Sequence, residues 1–247
     1  MSFQGKVAVI TGGSSGIGKA VAIELVKHGA AVVINGRREQ ALIEAAKEID
    51  PTGERVAYVA GDISDPKLAE RVIAEGLSRF GRIDTLVNNA GIFVAKLFTD
   101  YTAEDFESVM STNVAGFFHI TQRTLTEMTK VGSGHIVTIT ASGVAEQPIK
   151  AVPAMLAALS KGGLTAATKS LAIEYADKGI RVNAVAPGVI KTPMHPVETH
   201  EFLDKLHPMG RMGEVQDVVN AILYLESAPF VTGEILHVDG GQSAGQW

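Results

Sequence analysis

The chain has 247 residues, of which 46% are hydrophobic, so it can bury a sizeable core and wholesale disorder is excluded. Its 22 basic and 27 acidic residues give a net charge of −5 without any basic block, which argues against nucleic acid as a partner. With no cysteine, disulfides and thiolate metal sites are excluded, and we expect no metal. The N-terminal residues lack the arrangement of a signal peptide, and no apolar stretch is long enough to span a bilayer. We therefore expect a soluble cytoplasmic protein.

The first predicted element is a buried strand, Val7–Ile10, which ends at a glycine-rich turn. A helical apolar pattern begins at Ile17. Gly12, Gly16 and Gly18 let the backbone turn sharply and approach a ligand closely. The N-terminus of the helix points its free N–H groups into the same space. Together these features predict a seat for a pyrophosphate, although the glycines of many such loops serve only to close the turn.

Strand and helix patterns alternate through the rest of the chain. This alternation predicts one α/β domain over residues 1–247, a doubly wound parallel sheet of about seven strands with helices on both faces. Ligands bind such sheets beyond the carboxyl ends of the strands, where the strand order reverses. The further strands are predicted at Ala31–Asn35, Val56–Ala60, Ile83–Val87, His135–Thr140, Ile180–Val185 and Ile235–Val238. The helices are predicted at Ile17–His28, Glu39–Ile49, Pro66–Phe80, Phe106–Lys130, Ala154–Ala176 and Val215–Leu225.

Polar residues or glycines follow the carboxyl ends of the first four strands. Because these ends lie on one rim of a parallel sheet, we expect the residues to gather where a dinucleotide would lie. The first strand contributes the glycine turn, and the next three contribute Gly36-Arg37-Arg38, Asp62-Ile63 and Asn88-Asn89-Ala90-Gly91.

The end of the second strand discriminates between the two nicotinamide dinucleotides. An NAD site usually has an acidic residue there, whereas a 2′-phosphate needs positive charge. Gly36 stands in place of a carboxylate, Arg37 and Arg38 follow, and Ser14 and Ser15 can donate from the first loop. A guanidinium suits phosphate in charge and in geometry. These residues favour NADP(H) over NAD(H); the alternative is that the arginines are only the solvated start of a helix.

Three segments in this order, Thr11–Gly18, Asn88–Gly91 and Pro187–Thr192, resemble motifs of the short-chain dehydrogenase/reductase family. The similarity covers essentially the whole chain. It implies a Rossmann-type fold and an oxidoreductase that interconverts a carbonyl and an alcohol on a small-molecule substrate by hydride transfer with NADP(H). It also implies a homo-oligomer, a tetramer or a dimer, assembled through the closing strand and the two long helices.

The resemblance also implies roles for the residues of the rim. Asp62 would bond the adenine beside the backbone of Ile63, and residues 89–91 would line the adenosine ribose and the wall beside it. Residues 187–192 would cover the nicotinamide, within a loop and helices at 187–213 that would cover the substrate. The implied cofactor-binding residues are Gly12, Ser14, Ser15, Gly16, Ile17, Gly18, Gly36, Arg37, Arg38, Asp62, Ile63, Asn89, Ala90, Gly91, Lys161, Pro187, Gly188, Val189, Ile190 and Thr192.

The catalytic set of the family is an asparagine in the long helix, a serine after the fifth strand and Tyr-x-x-x-Lys on the next helix. By resemblance, Asn113 is the asparagine and Lys161 is the lysine, which would also bind the nicotinamide ribose. Ala157 stands at the position of the tyrosine. Ser142 fits the serine, at a spacing from Ala157 slightly longer than usual, and Thr140 is the alternative.

With Ala157 at the position of the tyrosine, the sequence does not identify the group that donates the proton. Lys161 could act through a water in the space that the tyrosine ring would fill, and burial would lower the pKa of its ammonium. His195 could act from the segment 192–196, because histidine titrates near neutral pH. No acid at all is the third possibility. Ala157 also motivates an alternative function, a catalytically silent NADP(H)-binding subunit or sensor.

Two expectations concern residues farther from this chemistry. His135 opens the fifth strand, roughly 16 Å from the catalytic rim, which predicts a surface or strand-start residue. The apolar residues within 193–211 and just after it predict either a wall of the substrate pocket or ordinary helix packing; they are Phe202, Leu203, Leu206, Met209 and Met212.

Overall fold

A computed structural model describes residues 2–245 of the chain. Its seven strands form one parallel sheet in the order β3-β2-β1-β4-β5-β6-β7, which confirms the predicted doubly wound α/β fold. The strands are β1 Val7–Ile10, β2 Ala31–Gly36, β3 Val56–Ala60, β4 Thr85–Asn88, β5 Gly134–Ile139, β6 Ile180–Pro187 and β7 Ile235–Val238.

The helices follow the predicted alternation, with three differences. Two short helices that were not predicted, Ser142–Ala145 and His200–Asp204, are present, and one predicted helix is divided. The helix predicted over Phe106–Lys130 is divided into two α-helices by a π-helical turn, Ser111–Ala115. Within residues 2–245, no helix is long and apolar enough to cross a membrane. The helices are α1 Gly16–Lys27, α2 Glu39–Ile49, α3 Pro66–Phe80, α4 Ala103–Met110, α5 Gly116–Val131, α6 Ser142–Ala145, α7 Met155–Tyr175, α8 His200–Asp204 and α9 Val215–Ser227.

The core lies on both faces of the sheet, because successive strand residues point to opposite sides. Ile10 and Ile34 pack against the layer that contains α1, α2 and α9. Val9 and Val33 pack against the layer that contains α3 and α5. All four side chains are fully buried. Burial on both faces explains why the strands are continuous apolar runs in the sequence rather than alternating ones.

The strand order reverses between β1 and β4, and this position fixes where the site lies. The two strands run side by side with Ile10 opposite Val87. The amide of Thr11 then donates to the carbonyl oxygen of Val87 across 3.1 Å. The glycine turn after β1 and the polar segment after β4 are therefore neighbours.

His135 is the second residue of β5 and is buried at the opposite end of the sheet, so the predicted strand-start location is confirmed and the alternative surface location is wrong. Its Nδ1 lies 2.6 Å from Oε2 of Glu226, and Asn183 donates to its Nε2 across 3.0 Å. Burial lowers the pKa of His135, which is therefore neutral and donates from Nδ1. Lys6 and Thr85 both donate to Oε1 of the same carboxylate. This polar network connects the starts of β1, β4 and β5 to α9.

Candidate active site

A cavity of about 780 Å³ opens beyond the carboxyl ends of the strands. All of the predicted cofactor-binding residues line it except Gly18. Of the predicted catalytic residues, Lys161 lines the cavity, whereas Asn113 and Ser142 do not. Among residues 2–245, no group of three potential metal ligands occurs.

The turn after β1 is packed too closely for side chains at its glycines. A Cβ on Gly12, where φ is +66°, would lie 2.9 Å from Nδ2 of Asn89. A Cβ on Gly18 would lie 2.5 Å from the carbonyl oxygen of Gly12, so Gly18 lets α1 pack against the turn and does not face a ligand. The side chain of Asn89 donates to the carbonyl oxygens of Thr11 and Gly12 across 2.9 and 3.2 Å. These two hydrogen bonds from Asn89 stabilise the conformation of the turn.

The N-terminus of α1 faces the cavity with its first residues, Gly16 and Ile17. Ser15 precedes the helix with an extended backbone, and its side chain makes no capping hydrogen bond. The first amide groups of a helix have no partner within the helix, and they carry the positive end of its dipole. The cradle at this helix end therefore fits an anion such as a pyrophosphate.

Positive charge is concentrated at the end of β2. Arg37 and Arg38 are exposed and line the cavity, and within residues 2–245 neither forms a salt bridge. Gly36 leaves room beside them, because a Cβ there would lie 3.2 Å from Oγ of Ser14. Two arginines and a serine thus line the cavity around Gly36, and their side chains are donors of the kind that suits a phosphate.

Asp62 lies at the end of β3 and carries a negative charge. Its Oδ1 accepts hydrogen bonds from the amide and the hydroxyl of Ser64, across 2.9 and 2.8 Å. These bonds, with the nearby charge of Arg37, lower the pKa of Asp62. The neighbouring Ile63 is buried and packs against Gly116 at the start of α5.

Lys161 projects from α7 into the cavity. Its Nζ donates to the carbonyl oxygen of Ile139, at the end of β5, across 2.8 Å. A Cβ on Gly91 would lie 3.2 Å from the same Nζ, so glycine at this position leaves space for the ammonium. Desolvation lowers the pKa of Lys161 to about 8. Both the ammonium and the amine are therefore accessible near neutral pH.

Asn113 is buried behind the cavity wall, in the π-helical turn. Its Oδ1 accepts from the amide of Ile92 across 2.8 Å, and its Nδ2 donates to the Ile92 carbonyl and to Oγ of Ser160 across 3.0 and 3.1 Å. Ser160 directly precedes Lys161, so Asn113 joins the segment after β4 to the helix that carries the lysine. Turns of this kind are frequent at functional sites. Asn113 is a positioning residue here.

Ser142, which is predicted for the catalytic set, does not line the cavity in this arrangement. It begins α6, is fully buried and donates from Oγ to the carbonyl oxygen of Pro187 across 3.3 Å. The preceding residue, Ala141, lines the cavity instead. Thr140 also lines it, but its hydroxyl donates to the carbonyl oxygen of Val185 across 3.2 Å. In this arrangement the proton of each hydroxyl is directed to a backbone carbonyl.

Ala157 is buried on α7 and lines the cavity one helical turn before Lys161. It presents a methyl group where the family resemblance expects the hydroxyl of a tyrosine, and Ala141 also lines the cavity. The lining continues with Val144, Ile149 and Val152 from the segment between β5 and α7. This side of the cavity is therefore apolar.

The segment after β6 covers the cavity and is held in place from behind. The amide of Val189 donates to Nε2 of the buried His207 across 3.0 Å, and Nδ1 of His207 lies 3.1 Å from the carbonyl oxygen of Leu203. Thr192 reaches the glycine turn, because a Cβ on Gly16 would lie 3.6 Å from its side chain. Residues 187–192 thus pass over the cavity from β6 to β1.

His195 lines the cavity from the end of this segment. Its Nδ1 lies 2.9 Å from the carbonyl oxygen of Ile190, so this nitrogen carries the proton. Burial, with a smaller effect of the charge of His200, lowers the pKa of His195. The imidazole is therefore neutral at neutral pH.

The apolar residues predicted for the substrate wall separate into three groups. Leu203 and Leu206 line the cavity. Met212 is fully buried, and Phe202 and Met209 are exposed. Only the first pair belongs to the site.

Gln242, which the sequence analysis did not single out, lines the cavity although it is only 3% exposed. Within residues 2–245, its Oε1 has no hydrogen-bond partner. A Cβ on Gly143 would lie 2.5 Å from that oxygen, so the amide packs closely on α6. Its place directly after Gly240-Gly241, at the carboxyl end of the last strand, was the available signal.

A parallel sheet with a glycine turn at its switch point defines the class of nucleotide-binding α/β proteins. The sequence profile of a family described as enoyl-(acyl carrier protein) reductase matches residues 12–243. A 3-oxoacyl-[acyl-carrier-protein] reductase of Thermotoga maritima is 36% identical to the chain, over 98% of this chain and 99% of the relative.

Two solved structures are similar throughout. A 3-ketoacyl-(acyl-carrier-protein) reductase of Brucella melitensis, complexed with NADH, superposes with a TM-score of 0.91 at 33% identity, over 98% of this chain and all of the other. ElxO with NADP bound superposes with a TM-score of 0.89 at 34% identity, over 97% of this chain and 99% of the other. The chain belongs to the short-chain dehydrogenase/reductase family, as the motifs predicted, and is an oxidoreductase of that family.

Proposed function

We propose that this protein is an NADP(H)-dependent oxidoreductase that interconverts a carbonyl and an alcohol on a small molecule. One observation carries the proposal: the desolvated ammonium of Lys161 lies in the same cavity as the glycine turn and the two arginines after β2. A cofactor held at the turn and at the arginines would extend along the cavity toward the lysine.

The residues present fit a phosphorylated dinucleotide. The N-terminus of α1 would hold the pyrophosphate, and Arg37 and Arg38 would hold the 2′-phosphate of the adenosine. Lys161 would bind the ribose of the nicotinamide, and residues 187–192 would cover its ring. When bound, the reduced nicotinamide supplies the hydride that a carbonyl carbon accepts.

Lys161 is the proposed proton donor. Its ammonium gives a proton to the carbonyl oxygen, through a water in the space beside Ala157, and the resulting amine regains a proton from solvent. The lowered pKa suits this role, because an acid works best when its pKa lies near the working pH. The carbonyl of Ile139 holds the lysine in place.

His195 is the weaker candidate for the same role. Its Nδ1 already bonds the Ile190 carbonyl, and its lowered pKa leaves it neutral at neutral pH. A neutral imidazole is a poor acid for the alkoxide oxygen that would form when the carbonyl carbon accepts a hydride.

The test is oxidation of NADPH with a panel of ketones and aldehydes, alongside calorimetry with NADPH and NADH. We expect turnover with at least one carbonyl compound and tighter binding of NADPH. Lys161→Met should remove turnover. If NADPH binds but no carbonyl compound oxidises it, the silent binding subunit motivated by Ala157 takes the place of this function.

We also propose that the chain forms a homo-oligomer, a tetramer or a dimer. Large apolar side chains are exposed on the outer faces of the long helices and near the last strand. They include Phe118 on α5, Ile173 on α7, Tyr224 on α9 and Phe230 before β7. Light scattering after size-exclusion chromatography tests the assembly, and a monomer at micromolar concentration would contradict it.

A further inference from the structure

Building on the function proposed above, we infer that the side-chain amide of Gln242 binds a second polar group of the substrate. The site would then take carbonyl compounds that carry a further carbonyl or hydroxyl group besides the one that reacts. Gln242 would be a specificity-determining residue of this oxidoreductase.

The first observation is a buried amide without a partner. Gln242 begins the 3₁₀ turn Gln242–Ala244 after β7 and is 3% exposed, yet it lines the cavity. Its Oε1 is hydrogen-bonded by no group within residues 2–245. Buried polar side chains are almost always paired, since burial removes the water that would otherwise bond them. The unpaired Oε1 can accept from a ligand hydroxyl, and a half-turn of the same amide group presents Nε2, which can donate to a ligand carbonyl.

The second observation is that the backbone of the turn that carries Gln242 is held in place. Its backbone N–H donates to the carbonyl oxygen of Asp239 across 3.2 Å, and the Asp239 carboxylate accepts from the amides of Gly241 and Ser243 across 3.0 and 2.9 Å. Gly143 leaves room for the side chain on the other side. A group fixed in this way loses little conformational freedom when it binds a ligand.

The third observation is that two polar groups reach the cavity from different elements. Lys161 comes from α7 and bonds the end of β5, whereas Gln242 comes from the C-terminal turn and packs on α6. Apolar side chains, among them Val144 and Val152, line the same cavity. A substrate that fills this space and satisfies both groups has an apolar body and two polar groups, one at the reacting carbon and one at Gln242.

The experiment measures binding, so it does not depend on turnover. The protein with NADP⁺ is titrated with 2-hexanone and with 2,3-, 2,4- and 2,5-hexanedione, which place a second carbonyl at three positions. We expect at least one dione to bind about threefold to tenfold more tightly than 2-hexanone, the range for one neutral hydrogen bond. Gln242→Met, which keeps the length of the side chain, should abolish this preference and leave the affinity for 2-hexanone unchanged.

Matched variants separate recognition from damage to the fold. Gln216→Met makes the same change on an exposed position of α9 and should keep the dione preference. Gln242→Glu removes the donor and should lose dione binding while it still accepts from 5-hydroxy-2-pentanone. Thermal unfolding identifies any variant that has failed to fold. If Gln242→Met fails to fold, the loss or retention of dione binding in Gln242→Glu tests the role of Gln242 instead.

Three results would overturn the role of Gln242. The first is equal affinity of the wild-type protein for all four ketones, which includes no binding of any. The second is a dione preference that survives in Gln242→Met. The third is an equal loss of affinity for all four ketones in that variant. The last result would place the amide at the reacting oxygen. A lack of NADPH oxidation would count against the proposed function alone, since the affinities can also be compared in protein without NADP⁺.

Discussion

The Nζ atom of Lys161 and the carbonyl oxygen of Ile139 lie 2.8 Å apart, which joins α7 to the end of β5 inside the cavity. The bond fixes the position of the ammonium, and desolvation lowers its pKa to about 8. An ammonium group in a site that contains little water loses its proton more easily than one in solvent. This relationship sets the pH dependence of the proposed reaction.

The first prediction is a pair of opposite pH profiles. Carbonyl reduction needs the ammonium form as acid, so kcat/KM for reduction should fall as the pH rises through about 8. Alcohol oxidation needs the amine as base and should rise over the same interval. Steady-state kinetics in both directions measure the two profiles. His195→Gln should leave both limbs in place; loss of a limb in that variant would assign the proton transfer to His195.

The second prediction concerns the position of the missing hydroxyl. Ala157→Tyr places a phenol one helical turn before Lys161, and we expect a gain in carbonyl reduction of about a hundredfold to ten-thousandfold, the usual contribution of a positioned acid. Ala157→Phe fills the same space without the hydroxyl and is the matched control. Equal rates for the tyrosine and phenylalanine variants would contradict the idea that the site lacks only the directly positioned hydroxyl of a tyrosine.

The third prediction is a change of cofactor affinity at the end of β2. The double variant Arg37→Ala/Arg38→Ala should weaken NADPH binding by about a hundredfold or more, because hydrogen bonds to charged groups contribute about 1.5–3 kcal/mol each. NADH binding should change little. Calorimetry measures both, and Arg55→Ala, an exposed arginine at the opposite end of β3, is the control. A uniform loss for both cofactors would mean that the arginines do not read the 2′-phosphate.

The fourth prediction concerns stability. The carboxylate of Glu226 accepts from His135, Lys6 and Thr85. Glu226→Gln turns an amino group toward one of these donors, and His135 cannot adapt by moving its proton to Nε2, because Asn183 donates there. We expect the free energy of unfolding to fall by about 1–3 kcal/mol.

Urea denaturation measures this effect, with the exposed Glu234→Gln as control. Burial raises the pKa of Glu226, but the hydrogen bonds from His135 and Lys6, with the charge of Lys6, outweigh it, so the net pKa is lowered. The carboxylate therefore stabilises the fold above its ordinary pKa of 4.5, and this contribution is lost as the pH falls below that value. A difference between wild type and variant that grows in acid would contradict this assignment.

Local sequence patterns were sufficient where one element encodes its own limits. The ends of α3 agree with the prediction because Pro66 suits the first helical position and Gly81, with φ of +78°, ends the helix in the left-handed region. The glycine turn could also be predicted locally, because a sharp turn between a strand and a helix favours glycine, although the close neighbour of Gly12 is Asn89 from the segment after β4. The resemblance to a family rests on such short segments.

The sequence by itself thus determined the alternating strands and helices, the glycine turn after β1 and the place of the arginines after β2, because periodicity, caps and turns act over a few residues. Only the tertiary structure decided that Ser142 turns toward Pro187, that His135 is buried against Glu226 and that Gln242 reaches the cavity. The π-helical turn at Asn113 was not predicted either, because the helical period of the sequence continues through it. These outcomes depend on which side chains meet across strands and helices far apart in the chain, and spacing along the chain does not specify that.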